Sequence, residues 1–315
     1  MAEMQATRAE YGKALVELGR RNPKVVALDA DLSGSTKTAL FAKEFPERFF
    51  NMGVAEQNLM ATAAGLSLAG FIPFASTFAI FAAGRAWEVV RQAIAYNAAN
   101  VKIVATHGGI TVGPDGGSHQ AIEDLALMRC LPNMVVIVPA DGVEMRQVVD
   151  TVAAMQGPCY VRAGRIKFPV IYDGSHRFAV GKGHRLREGS DVTLAACGLM
   201  VHHALEAAES LAGRGVSAEV LNLSTIKPLD EELLVASARK TGCVVACEEH
   251  LTAGGLAGAV AEVLGERFPA PLERIGVRDT FGLSGTPQEL LEYFGLTPAD
   301  IAEAAQRALG RKPGG

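Results

Sequence analysis

One carboxylate stands at the edge of a long uncharged stretch. No charged residue occurs from Gln57 to Gly84, and Glu56 lies immediately before that run. A carboxylate drawn into such surroundings either finds a hydrogen-bond donor or keeps its proton. A plainer reading is a helix-start carboxylate favoured by the helix dipole. A second stretch, THGGITVGPDGGSHQ, places His107, Asp115 and His119 among five glycines. Glycine lets the backbone approach a ligand closely. Two histidines with an aspartate between them can bind metal, act as acid and base, or hold an anionic substrate. The spacing His-x11-His matches no common zinc pattern. Ser35, in the segment that opens with Asp31, and Arg165 follow two further expected strands. Arginine suits phosphate because its fork donates two bonds at once. Ser35, His107, His119 and Arg165 are therefore expected to converge on a phosphate at one sheet edge. The alternatives are a surface loop with incidental histidines and a solvated Arg165. Phe78 and Phe81 stand at i and i+3 near a helix start, as core residues or as a platform for a ligand.

These residues need a scaffold. The uncharged run is long enough to raise a membrane span, but Gly70 and Pro73 interrupt it. It reads instead as a helix over about 55–69, a strand over 71–77 and a helix over 79–98. Around it the first half alternates: helix 5–21, strand 25–32, helix 36–44, a strand at FFNM, strand 101–106, helix 120–129, strand 134–140, helix 142–155 and strand 159–162. Short loops between alternating elements imply a parallel sheet with helices on both faces. The pattern breaks near residue 170. Strands at 191–198, 217–223, 243–249 and 272–277 then alternate with helices at 200–213, from Asp230, and at 255–267. Two helices, 287–292 and 298–309, close the chain. The fold class is α/β with two doubly wound domains, the second smaller and mixed at one edge. The expected limits are 1–170, a linker over 171–190, and 191–315.

Bulk properties narrow the function. The 315 residues carry a net charge of −4, with no basic footprint for nucleic acid. The N-terminus lacks the apolar core of a signal peptide. A soluble, cytoplasmic protein is expected. Five scattered cysteines do not suggest a disulfide framework, and Cys243 and Cys247 read as structural members of one strand.

Taken together, GVAEQN (53–58), STF (76–78), GPDGGSHQ (113–120) and the Arg165 segment resemble the second half of transketolase. EEHLTAGGLAGAVAEVL and DTFGLSGTPQELLEYFGL are similar to that family's C-terminal domain, so the resemblance covers nearly the whole chain. It implies a pyrimidine-binding domain over 1–170 and a transketolase C-terminal domain over 191–315. Glu56 resembles the glutamate that hydrogen-bonds the aminopyrimidine of thiamine diphosphate and promotes its activation. Phe78 and Phe81 resemble the aromatics that pack on the pyrimidine. Asp31 resembles an acidic residue near the cofactor at a subunit interface. His119 resembles a catalytic contact to the reacting sugar, His107 and Asp115 further substrate contacts, and Ser35 and Arg165 contacts to the sugar phosphate. The family activity is transfer of a two-carbon ketol unit between sugar phosphates by covalent catalysis on the cofactor.

One departure is large. The family binds the cofactor's diphosphate and its divalent metal, magnesium or another, through a Gly-Asp-Gly motif, and this sequence contains none. The resemblance therefore implies the C-terminal subunit of a split transketolase. A separate N-terminal subunit would carry the motif and the metal, in an α2β2 assembly built on a homodimer of this chain. Three alternatives stay open: the matching half of 1-deoxyxylulose-5-phosphate synthase, a 2-oxo-acid dehydrogenase beta subunit, and a non-catalytic sugar-phosphate-binding module.

Overall fold

The computed structural model describes residues 3–312. Among the described residues, fourteen strands form three sheets. The largest contains β2 (Val25–Asp29), β3 (Phe49–Asn51), β4 (Ile72–Ser76), β5 (Lys102–Ala105), β6 (Val135–Ile137), β7 (Cys159–Arg162) and β12 (Thr225–Lys227). Its order is β12-β6-β7-β5-β4-β2-β3, parallel throughout except for the antiparallel pair β12–β6. The central strands are buried on both faces, as the near-continuous apolar runs VVALD and KIVA require.

The second sheet holds β9 (His184–Arg187), β10 (Val192–Ala196), β11 (Ala218–Asn222), β13 (Val244–Leu251) and β14 (Leu272–Val277), in the order β14-β13-β10-β11-β9. Its edge strand β9 is antiparallel and the rest are parallel. β9 arises inside the stretch read from sequence as a linker, because its charged alternation HRLR suits a half-exposed edge. β1 (Met4–Gln5) pairs with β8 (Phe168–Pro169) and ties the amino end to the segment after β7.

β12 has a further consequence. It follows β11 in the chain yet completes the first domain's sheet. One apolar cluster accordingly runs through both domains, joining Leu125, Met128 and Leu131 to Leu256, Ala257 and Val260. A buried polar staple adds to it. Arg162 lies 3.1 Å from Asp124 and donates from Nη2 to the carbonyls of Ala121 (2.7 Å) and Glu249 (2.9 Å). Tyr160 donates to the same Asp124 carboxylate at 2.7 Å. Gly108 has no room for a side chain, since a Cβ there would meet Arg162 Nε at 2.1 Å.

Two elements differ from expectation. The stretch read as one α-helix over 79–98 is π-helical over Phe81–Arg85 and Val90–Ala95, with one α turn, Trp87–Val89, between. The helix expected over 36–44 is two short pieces, Ser33–Thr36 and Ala39–Glu44, split at Lys37 with φ 74°. Among the described residues no helix is long and apolar enough to cross a membrane. The glycine and proline that interrupt the uncharged run mark the turn into β4 and a position within it.

Removing one partner of a buried ion pair leaves the other charge uncompensated. Arg162→Met should therefore cost about 3–5 kcal/mol of stability in urea unfolding. A loss below about 1 kcal/mol would show that Asp124 does not depend on Arg162.

Candidate functional site

In an open parallel sheet, ligands bind beyond the carboxyl ends of the strands. Five neighbouring strands, β7-β5-β4-β2-β3, run in the same direction here. Beyond their carboxyl ends lie Arg165, His107, Phe78, Asp31 and Glu56 in turn.

Glu56 is the first residue of the helix Glu56–Leu68 and is 1% exposed. Arg85 Nη1 donates to its Oε2 at 3.0 Å. Of the two fates open to a buried carboxylate, this one has found a cation. Arg85 is the first charge after the uncharged run, and the π-helical turn Phe81–Arg85 carries it. π-Helical turns are frequent at functional sites. The Arg85 guanidinium also lies 5.0 Å from the Phe81 ring centroid, within cation–π range.

An aromatic wall continues from this pair. Phe78 stacks on the His107 ring at 3.8 Å and lies 6.0 Å from Phe81. His119 meets Phe81 edge-on at 5.5 Å and Phe78 at 6.2 Å. Phe78 also bridges to Thr106, so the segment after β4 runs beside the one after β5.

His107 is buried, with Nδ1 sharing a 2.8 Å hydrogen bond with Thr106 Oγ1. Burial first, and then the positive groups Arg8, Arg165, His119 and Lys37, push its pKa down to about 3. The ring is therefore neutral at physiological pH. Its backbone adopts φ 60°, and Asp31 adopts φ 62°. Non-glycine residues held in this region concentrate at ligand sites. Asp31 is pinned there by Asn51, whose side chain accepts from Asp31 N (3.1 Å) and donates to Asp31 Oδ1 (2.9 Å).

The phosphate-seeking residues also come together. Arg8 Nη1 donates to Ser35 O at 2.8 Å, and Arg8 Nε donates to Arg165 O at 3.0 Å. Arg165 donates to Val112 O and lies 3.9 Å from Asp115. The structure thus unites Ser35, His107, Asp115, His119 and Arg165 at one end of the site, and Glu56, Phe78 and Phe81 at the other. Asp31 stands beside them on the β2 end.

Sequence reasoning missed three cations: Arg8, Lys37 and Arg85. Arg8 sits in the first turn of the helix Thr7–Arg21, 157 positions from the carbonyl it binds, and no local pattern marks it. Arg85 carried a readable signal, as the charge that closes the uncharged run. Among the described residues no group of three or more His, Cys, Asp or Glu side chains is arranged to hold a metal ion.

Comparison with known proteins identifies the family of both domains. The family model for the transketolase pyrimidine-binding domain matches residues 3–170, and that for the transketolase C-terminal domain matches residues 181–301. The chain belongs to the transketolase family. A putative transketolase C-terminal section of Methanocaldococcus jannaschii is 52% identical, over 94% of this chain and 94% of that protein. A 6-deoxy-6-sulfo-D-fructose transketolase subunit of a Clostridium species is 44% identical, over 97% of this chain and 95% of that protein. Human transketolase is 37% identical over 96% of this chain, which spans only 48% of the human enzyme. Among solved structures, a split-gene transketolase described as an inactive beta4 tetramer superposes with a TM-score of 0.92 at 58% identity, covering 98% of this chain and 100% of that one. The Campylobacter jejuni transketolase superposes at 0.84 with 25% identity, covering 97% of this chain and 47% of that one. This transketolase chain therefore corresponds to the C-terminal half of the full-length enzymes.

The His107 pKa sets a sign. Between about pH 6.5 and about 3 the unfolded chain binds a proton at His107 that the folded chain does not. Stability therefore falls as the pH drops through that window. Between pH 7 and pH 4.5 the wild type should lose on the order of 2–3 kcal/mol more than His107→Asn in urea unfolding. Equal losses would mean that His107 titrates normally in the folded chain.

Proposed function

We propose that this chain is the pyrimidine-side, C-terminal subunit of a two-chain transketolase, which moves a two-carbon ketol unit from a ketose phosphate to an aldose phosphate. What carries the reading is the sheet edge where neighbouring parallel strands end at Glu56, Asp31, Phe78, His107 and Arg165. It is supported by relatives named as a section or a subunit of transketolase, which this chain matches over nearly their whole length.

The residues present fit one side of thiamine diphosphate. The fit rests on a buried carboxylate, held by Arg85 through Oε2, beside an aromatic wall. Glu56 would hold the aminopyrimidine, and Phe78 and Phe81 would pack on it. When bound, the cofactor supplies the carbanion chemistry that protein side chains lack. Glu56 holds a proton at the pyrimidine nitrogen, in surroundings where its charge is strongly felt. Arg85 keeps the carboxylate paired until that ligand is in place. The diphosphate and magnesium, or another divalent ion, fall to a partner subunit with the Gly-Asp-Gly motif. Two copies of each chain form the α2β2 assembly, with this chain as the central homodimer, in the cytoplasm.

The sugar end follows from the same geometry. With Nδ1 engaged by Thr106, neutral His107 keeps Nε2 for a single hydrogen bond, which suits a hydroxyl able to donate or accept. His119 contacts the reacting end of the sugar, and Asp115 a hydroxyl further along. Ser35 and Arg165, joined by Arg8 and Lys37, hold the phosphate. Arg8, Arg165 and Lys37, gathered around His107, raise the local concentration of an anionic substrate.

The first test is calorimetry with thiamine diphosphate and magnesium, on the chain alone and with a Gly-Asp-Gly-containing partner. Binding only with the partner is expected, and ketol transfer by that mixture should fall at least about a hundredfold in Glu56→Gln. Activity within a few-fold of wild type would remove Glu56 from the chemistry. Arg165→Ala should reduce kcat/KM for phosphorylated acceptors about tenfold or more while sparing unphosphorylated ones. Equal losses for both would remove the phosphate role.

A further inference from the structure

The glycine-rich loop that carries Asp115 and His119 is not held by its own domain alone. Two groups from the C-terminal domain grip it, one near each end. Near its start, Glu249 Oε1 of β13 accepts from Thr111 N at 2.6 Å, and a Cβ on Gly109 would strike that carboxylate at 2.2 Å. At its end, Gln120 is 2% exposed, and the two N–H groups of its Nε2 are shared among three carbonyls within hydrogen-bond reach. Two belong to the loop itself, Ile110 O and Gly113 O at 3.2 Å each. The third and shortest, Leu283 O at 2.8 Å, belongs to the segment between β14 and the helix Pro287–Tyr293.

Between these grips the two backbones lie in direct contact. A Cβ on Gly116 would meet Ser284 Oγ at 2.5 Å, and one on Gly117 would meet Gly282 O at 2.7 Å. A Cβ on Gly282 would meet Gln120 Oε1 at 1.7 Å. Gly113, Gly116 and Gly117 are therefore needed for close approach to the C-terminal domain as well as for turning the chain; Gly113 and Gly116 have φ 82° and 74°. The C-terminal domain therefore lies directly against the loop that carries Asp115 and His119.

We propose that Gln120 is a positioning residue: its side-chain amide clasps the Asp115–His119 loop to the segment 282–285, so that the C-terminal domain sets how the sugar is held. This inference rests on the reading of Asp115 and His119 as sugar contacts. The amide gives one short bond to Leu283 O and shares its other N–H between two loop carbonyls that burial would otherwise leave unpaired. Losing it frees the loop to shift, and shifts of about 1 Å in positioning groups cost up to a hundredfold in rate.

The test uses the assembled enzyme and the chain alone. Gln120→Ala removes the clasp from the loop side. Gly282→Ala displaces it from the other side without altering any loop residue. In hydrogen exchange read by mass spectrometry on the lone chain, both variants should expose residues 108–119 about tenfold faster, with the central strands unchanged. In the assembled enzyme both should raise KM for the sugars about tenfold or more, with a smaller change in kcat and thiamine diphosphate affinity unchanged. The double variant should be no worse than Gln120→Ala, because both changes act through one contact. A purely structural role would instead lower the fraction folded and leave KM of the folded enzyme intact. Unchanged exchange in the loop, or faster exchange without a rise in KM, overturns the proposal. His119→Ala is the control for the underlying reading: if it leaves ketol transfer intact, that reading fails, while the exchange data still decide whether the clasp holds the loop.

Discussion

Parallel pairing forces the carboxyl ends of neighbouring strands to the same edge, and the chemistry of this protein depends on that constraint. β7, β5, β4, β2 and β3 share one direction and one register. Arg165, His107, Phe78, Asp31 and Glu56 are far apart in sequence, and the ladder delivers them side by side. Each leaves its strand through a short loop, so none has much freedom to wander. The two non-glycine residues with positive φ here, Asp31 and His107, show how sharply those exits turn.

Buried charge is the second organising force. Glu56 is paired with Arg85, and Asp124 with Arg162. The two pairs serve different ends. Arg162 is enclosed, bonded to backbone from both domains, and fixes their relation. Arg85 is half-exposed on a π-helical turn, so its guanidinium can exchange the carboxylate for water at modest cost. Glu248 and Glu249 extend the same logic in β13. Burial pushes both carboxyls up, while Glu248 accepts from Leu256 N and Ala257 N at a helix start and Glu249 accepts from Thr111 N. The two carboxylates of EEH (248–250) are thus buried acceptors that hold a helix and a loop.

The cationic end shows how electrostatics follows from assembly. Burial, and then Arg165, lowers the Arg8 pKa, so two guanidiniums share one neighbourhood in the free subunit. Like charges held this closely favour an anion between or beside them. Burial first, and then the same charges, keep His107 neutral. A single cluster therefore tunes a ring and gathers positive charge beside it.

By itself, the sequence determined the alternation of strands and helices, the carboxylate before the uncharged run, and the glycine-rich loop with its two histidines. Each of these is a local pattern: period, composition or spacing within a few turns of chain. The helix over 56–68 and the strands at 72–76, 102–105 and 159–162 were legible for that reason. The tertiary structure alone decided the rest. It turned an apparent α-helix π-helical where Phe81 and Arg85 had to face one site. It brought Arg8 to Ser35 and Arg165, carried β12 across into the first sheet, and laid segment 282–285 against the substrate loop. Those are contacts between residues separated by dozens to hundreds of positions, fixed by close packing and by the need to pair buried polar groups. No local propensity encodes them.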